Sequence, residues 1–150
     1  MNRKLIYSNN LSSKKENKTN NLILYKDIYG IDKAIIELKL KDFKYDKKKL
    51  TINNDYFSEN KGLIVFYAPW CKYCKKISDI LIDLAMSNIN VFNFGAVNTE
   101  DVENGNDYVS IYANITKIPC IKYINNKGEL VNYEYEYTND NFIYFINVNI

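Results

Sequence analysis

Apolar and polar positions settle into clear patterns only from the middle of the chain. The run "GLIVFYA", Gly62 to Ala68, is continuously apolar and of strand length, which predicts a central parallel strand covered on both faces. Downstream, Ile77, Ile80, Leu81, Leu84 and Ala85 recur at helical spacing, while Lys75, Lys76, Ser78, Asp79 and Asp83 take the other faces. That pattern predicts an amphipathic helix beginning near Cys71. "INVFNFGAV" supplies a second buried strand, so residues 62–97 form a strand-helix-strand unit with an expected right-handed crossover.

A shorter helix is expected over about Asp107 to Tyr112. "PCIKYI" and "ELVNYEYEY" flank "NNKG", whose Asn and Gly suit a tight hairpin turn. Along the second of these strands Val131, Tyr133, Tyr135 and Tyr137 alternate with Asn132, Glu134 and Glu136, predicting one wet face. The last segment, "NDNFIYFINVNI", starts a helix with Asn139 or Asp140 as its cap and Phe142, Phe145 and Ile146 facing inward.

Before residue 62 the patterning is weaker. "AIIELKL" reads as a strand, and "DFKYDKKKLTINN" as a hairpin with Asp46 and the lysines 47–49 in its turn. "NLILYKDIYG" is apolar enough to pack on a domain edge. Residues 1–21, rich in Ser, Asn and Lys, are expected to be a mobile tail. The expected organisation is a tail over 1–21 and one domain over 22–150, with residues 62–150 as its core.

Composition adds boundaries rather than a function. At 150 residues with 47% apolar positions, the chain has material for one core. The heavy use of Asn, Lys, Ile and Tyr looks like the residue usage of an AT-rich genome and carries no mechanistic weight at this level. A net charge of +2, with basic residues interleaved among acids, offers no continuous footprint for a phosphate backbone, so nucleic acid is not an expected partner. The tyrosine-rich run 133–137 lacks the basic company of a base-stacking platform. The N-terminal residues lack the apolar run of a secretory signal, and no segment reaches the length of a membrane span, so no membrane partner and a cytoplasmic location are expected.

The absence of His removes His-based acid-base catalysis and Cys/His zinc sites. What remains is Cys71 and Cys74, separated by Lys72 and Tyr73, where a buried strand runs into a helix. Three meanings fit this spacing: a working dithiol, part of a metal site, or two buried thiols that are merely close. The helix N-terminus and Lys72, Lys75 and Lys76 favour a thiolate at Cys71, and the short separation lets Cys74 attack a mixed disulfide made by Cys71. A metal site built on Cys71, Cys74 and Cys120 lacks a fourth ligand, and no metal is expected.

"VFYAPWCKYCKK" resembles the active-site segment of the thioredoxin superfamily, with "FYAPWC" most similar to protein disulfide isomerase domains. "YANITKIPCIKYINNKGEL" resembles the second landmark of that family, a cis-proline that opens a strand and a following hairpin. The resemblance covers about Gly62 to Leu130 and does not extend to residues 1–34. It implies a thioredoxin-like α/β fold with a central mixed sheet flanked by helices and an N-terminal extension. It further implies attack by Cys71, resolution by Cys74, a substrate surface at Trp70, Ile118 and Pro119, and tuning by Lys72 and Tyr73. No cofactor beyond the dithiol is implied; the partners are protein disulfides and a reducing or oxidising partner that the sequence does not identify.

Three departures from the family pattern stand out. The usual buried acid, six residues before the first cysteine, is Val65, and the lysine that often accompanies it would fall near Ala96. The residues between the cysteines are Lys-Tyr, matching neither thioredoxins (Gly-Pro), disulfide isomerases (Gly-His) nor glutaredoxins (Pro-Tyr). Cys120 stands where Thr is common, either as a small buried residue or as a regulatory thiol near the active site. The function expected is a thiol-disulfide oxidoreductase of thioredoxin-like reducing direction. The alternatives are an isomerase or oxidase, and a redox-silent module that binds partners in the same groove.

Overall fold

The computed structural model describes residues 34–59 and 61–150; the tail expected over 1–21 and the apolar segment 22–30 lie outside the described residues. Five strands make one mixed sheet in the order β1-β5-β4-β6-β7, where β1 is Ile35–Glu37, β4 Gly62–Tyr67, β5 Asn93–Asn98, β6 Cys120–Ile124 and β7 Leu130–Asn132. β4 runs parallel to β5, which runs parallel to β1, while β6 and β7 are antiparallel to their neighbours. Helices α1 (Lys72–Ser87), α2 (Asn106–Tyr112) and α3 (Asn139–Asn149) complete the layers.

β4 is central because every one of its residues is apolar enough to be buried on either face, and all six are. Leu63, Val65 and Tyr67 join the core that includes α1 and α3; Ile64 and Phe66 join the second core with Val109 of α2. Gly62 opens the strand at a close approach, since a Cβ there would lie 2.6 Å from the Asn93 carbonyl oxygen. α1 buries Ile77, Leu81, Leu84 and Ala85, with Ile80 packed at the margin. Ser78, expected on a wet face, is buried as well; its hydroxyl is satisfied inside the helix by donating to the Lys75 carbonyl at 2.7 Å.

β2 (Phe43–Asp46) and β3 (Lys49–Ile52) form the expected hairpin. Lys47 and Lys48 make its turn at φ 51° and 64°, the geometry that matches the twist of a two-residue hairpin, while Asp46, expected in the turn, still belongs to β2 and Lys49 already belongs to β3. Among the described residues no helix is long and apolar enough to cross a membrane.

Three expected boundaries move. The second buried strand begins at Asn93 rather than near Ile89, because α1 ends at Ser87 and the carbonyl of its C-cap Asn88 accepts from the amides of Val91 and Phe92. Ile89 and Val91 are exposed as a result. In the β6-β7 turn the positive φ sits at Gly128 alone; Asn125 acts through its side chain, accepting from the amides of Lys127 and Glu129 at 2.9 Å. The cap of α3 is Thr138, whose Oγ1 accepts from the Asn141 amide at 3.2 Å, and neither Asn139 nor Asp140. The inward face of α3, Phe142, Phe145 and Ile146, is as the spacing predicts.

The larger correction concerns residues 133–137. Their Tyr/Glu alternation predicts a strand with one wet face, yet β7 stops at Asn132 and the segment leaves the sheet. The reason is local: the Ile121 amide that a longer β7 would use donates to the Tyr137 hydroxyl at 2.9 Å. Tyr133 makes the last ladder bond, its amide donating to the Ile121 carbonyl at 3.2 Å, and then folds into the core against Phe142 and Phe145.

Candidate active site

The end of β4 delivers the chain through Ala68, Pro69 and Trp70 into α1, and Cys71 is the N-cap of that helix. Its Sγ accepts from the Cys74 amide at 3.2 Å, so one of the unpaired N–H groups of the first turn points at the sulfur. Such a donor, with the positive end of the helix dipole, stabilises a sulfur that carries negative charge. Cys74 lies within that first turn, its Cα 5.2 Å from that of Cys71, and the two sulfurs are joined as a disulfide. The spacing requirement for a dithiol that closes on itself is met by the helix itself.

Both cysteines are more enclosed than the sequence implies: Cys71 is 7% and Cys74 4% exposed, within the same core cluster as Val65, Tyr67 and Ala96. Around them the surface is open. Trp70 is 68% exposed, Tyr73 is half-exposed, and Lys72, Lys75 and Lys76 ring the helix start. Partial burial lowers the pKa of Lys75. Trp70 stands beside the cysteines but does not line the neighbouring groove.

That groove, of about 820 Å³, runs from Tyr73 past Ile118, Pro119 and Cys120 to the irregular segment 132–138. The Ile118–Pro119 peptide bond is cis. Ile118 packs against the core cluster that holds Cys71 and Cys74, and Tyr73 is the residue shared by the dithiol helix and the groove. The opposite wall holds Tyr135, half-exposed, with Glu134, Glu136 and Tyr137. Burial raises the pKa of Tyr137, with the Ile121 amide working against it and Cys120 and Tyr73 adding to it. Tyr133, its ring in the core, is pushed up to about 12 by burial and by its two tyrosine neighbours.

Cys120 lines the groove but points to the second core, its Cα paired across the sheet with Phe66 and its side chain half-buried. Burial pushes its thiol up, with Lys122 and Lys117 opposing. The strand alternation thus sets Cys120 on the sheet face away from Cys71 and Cys74. Among the described residues no cluster of three or more His, Cys, Asp or Glu is arranged to hold a metal ion.

The two departures from the family pattern turn out to be neighbours. Val65 and Ala96 are register partners in β4 and β5, both buried and both on the face that α1 covers. The next position along that row is Glu37 of β1, the register partner of Ala96. Glu37 accepts a hydrogen bond from the Tyr67 hydroxyl at 2.6 Å, and Lys39 Nζ stands 3.7 Å from its other oxygen. Lys39 in turn bridges to Asp101 at 2.6 Å. Burial alone lowers the Lys39 pKa, but the bond to Asp101 and the charge of Glu37 together outweigh it and raise it. Sequence reasoning missed this cluster. The signal was present: in "AIIELKL" a period of two sets Glu37 on the same face as the apolar Ile35.

Comparison with known proteins gives the family. The family model described as Thioredoxin matches residues 39–148. A protein disulfide-isomerase of Datisca glomerata is 32% identical over 94 residues, which is 62% of this chain and 18% of that protein. Protein disulfide isomerase-like 1-1 of Arabidopsis thaliana is 31% identical over 87 residues, 58% of this chain and 17% of that protein. The chain thus spans under a fifth of the length of these two relatives. Among solved structures, the J-Trx1 fragment of ERdj5 superposes with a TM-score of 0.58 at 20% identity, covering 79% of this chain and 52% of that one, a likeness of fold. Because the matched span takes in most of its length and includes both landmarks, the chain belongs to the thioredoxin family.

Proposed function

We propose that this chain is a thiol-disulfide oxidoreductase that acts on protein disulfides through Cys71 and Cys74. The observation that carries the reading is the placement of Cys71 as the cap of α1, its sulfur receiving the Cys74 amide, beside the groove formed by Ile118 and Pro119. In the reducing direction the Cys71 thiolate attacks one sulfur of a substrate disulfide. That S–S bond breaks, a mixed disulfide forms, and the first substrate sulfur leaves as a thiolate. Cys74 then attacks Cys71, forming the Cys71–Cys74 disulfide and expelling the second substrate thiolate, so the dithiol gives up two electrons and no bound cofactor is required.

The groove suits an extended segment of substrate lying between Tyr73 and the Tyr135 wall, with Trp70 covering its approach to Cys71. Recognition through backbone and aromatic faces makes few demands on substrate sequence. An expected cytoplasmic location favours the reductase direction and a reducing partner. The isomerase or oxidase direction is favoured by the likeness to relatives that carry the name protein disulfide-isomerase.

Two measurements test this. In a Cys74→Ser variant the first step should proceed and stop, trapping a mixed disulfide on Cys71 that mass spectrometry detects; no adduct, and no acceleration of insulin reduction by the wild-type chain, would leave only a redox-silent binding module. The reduction potential of the couple then fixes direction: about −270 mV corresponds to a reductase and about −180 mV to an isomerase or oxidase.

A further inference from the structure

We propose that the wall formed by Glu134, Tyr135 and Glu136 selects substrates, favouring protein disulfides with an arginine or lysine within a few residues of the cysteine that Cys71 attacks. The inference rests on the oxidoreductase reading above and narrows its substrate class. It comes from the segment 133–138, which leaves the sheet where the Tyr/Glu alternation predicts a continued strand. That departure does not leave the segment loose. The Tyr133 ring packs against Phe142 and Phe145, and the Tyr137 hydroxyl holds the Ile121 amide. Between these anchors the Glu136 carbonyl accepts from the Thr138 amide at 2.9 Å and from Asn141 Nδ2 at 3.1 Å, which ties the wall to the start of α3. Glu134, Tyr135 and Glu136 are exposed on this held backbone, and all three line the groove. A wall fixed before substrate arrives loses little conformational freedom on binding.

The charges of the groove are unbalanced. Glu134, Glu136 and Lys117 are its only charged lining residues, and no ion pair joins either glutamate to another of the described residues. In a chain of net charge +2 the groove is therefore net negative. Lys117 precedes Ile118, on the side of the cis-proline and away from the acidic wall. A second feature points the same way. Tyr133, 5% exposed, also lines the groove, and its hydroxyl is buried without a hydrogen-bond partner among the described residues. Tyr135 and Tyr137 both push up its pKa, which sets the three hydroxyls in one electrostatic neighbourhood of the wall.

Two carboxylates and a buried hydroxyl thus lack donors on one wall. A guanidinium brings five donors and an ammonium three, and neither has an acceptor that the wall would leave unpaired. Arginine can also lay its plane on an exposed ring, and Tyr135 is half-exposed between the two glutamates. Lys72, Lys75 and Lys76 act in the opposite sense at the start of α1, where they attract acidic segments toward the dithiol. The basic residue of the substrate belongs farther along the groove, past Tyr73. This adds one preference to a groove that otherwise reads backbone and aromatic faces.

The test uses the full reduced chain and fluorescent peptide disulfides that place Arg, Leu or Glu at each position up to about four residues from the cysteine, roughly 13 Å of extended chain. At low ionic strength the best-placed Arg should raise the second-order rate of Cys71 adduct formation about fivefold over Leu. In about 0.5 M salt, where the screening length falls to about 4 Å, that ratio should shrink toward one. Combining Glu134→Gln with Glu136→Gln should abolish the Arg-to-Leu ratio whatever the absolute rates, and Glu136→Lys should move the preference toward Glu. A ratio that survives in the double variant overturns the proposal, as does a wild-type chain for which Arg exceeds Leu at no position. Matching peptides with Ser in place of Cys, followed by fluorescence anisotropy, read the same preference without chemistry. If no peptide forms a Cys71 adduct, the oxidoreductase reading falls by itself and the Ser peptides decide the selectivity of the wall: equal or undetected binding of the Arg and Leu versions overturns it.

Discussion

Replacing Val65 by Asp measures how dry the row beneath the dithiol is. Val65 is 3% exposed and its neighbour Ala96 fully buried, so the substitution removes a buried apolar side chain, worth about 1.5–3 kcal/mol. It also inserts a carboxyl without a dedicated partner, costing about 1–3 kcal/mol even when neutral. Near pH 4 the variant should therefore be about 2.5–6 kcal/mol less stable than wild type. Burial raises the pKa of such an acid in the folded chain while the unfolded chain keeps about 3.9, so above that value the unfolded state binds fewer protons and stability falls with pH. The slope is about 1.4 kcal/mol per unit. Between pH 5 and pH 7 the penalty should grow by about 2.7 kcal/mol, a large part of the stability of a typical domain. Urea unfolding at the two pH values reads this directly, each variant taken relative to wild type at the same pH. Adding Ala96→Lys in the register position beside it should flatten the pH dependence. A Val65→Asp penalty that is the same at pH 5 and pH 7 would refute the reasoning, since it would mean that water reaches this row.

Three further outcomes are expected. Cys120 should be alkylated slowly at pH 7 and faster as pH rises above its ordinary thiol range, because burial holds its proton; mapping of iodoacetamide adducts on the reduced chain checks this, and rapid labelling at pH 7 would favour the regulatory reading. Phe142→Ala should cost about 3–5 kcal/mol in urea unfolding, since Phe142 is fully buried and stacks on Tyr133 at 5.3 Å, and should loosen the groove wall. The Lys39–Asp101 bridge should support stability between the two pKa ranges. Asp101 is held down by Lys39 and Asn104 despite partial burial, so its contribution is present above the ordinary value of 3.8 and lost as pH falls through the lowered one. Lys39 is raised, so its contribution is full below 10.5 and lost as pH rises past the raised value; Asp101→Asn should flatten both limbs of the stability profile.

The elements that were legible in the sequence are those whose signal is local. A wholly apolar hexapeptide can hardly be anything but the central strand, and the period of Ile77, Leu81, Leu84 and Ala85 needs no partner to be read. The dithiol at their junction follows from the same two segments. Less legible was anything decided by register between distant strands. That Val65 and Ala96 are side by side, and that Glu37 completes the row, depends on how β1, β5 and β4 are aligned, which no single segment encodes. Likewise the facing of Cys120 away from the dithiol follows from the alternation of β6 once its pairing with β4 is known.

The tyrosines are where composition misled most. Their abundance, 14 in the chain, invites dismissal as a bias of base composition. Yet the hydroxyls of two of them make hydrogen bonds that shape the sheet around the site. The Tyr137 hydroxyl takes the Ile121 amide that a longer β7 would have bonded, which ends the sheet early and turns residues 133–138 into a wall of the groove. The Tyr67 hydroxyl reaches from β4 past β5 to the Glu37 carboxylate, tying the edge strand β1 to the sheet. A hydroxyl at the end of a rigid ring carries a hydrogen bond farther from the backbone than Ser or Thr can, and it does so while burying apolar area. Because Phe preserves that area and removes only the oxygen, Tyr→Phe substitutions separate the two contributions. Tyr137→Phe should cost about 1–3 kcal/mol by leaving the Ile121 amide without its bond, with little effect on the Cys71 attack. If instead it changed the rate of adduct formation more than the stability, the hydroxyl would be contacting substrate, and the groove wall would be part of the chemistry rather than its frame.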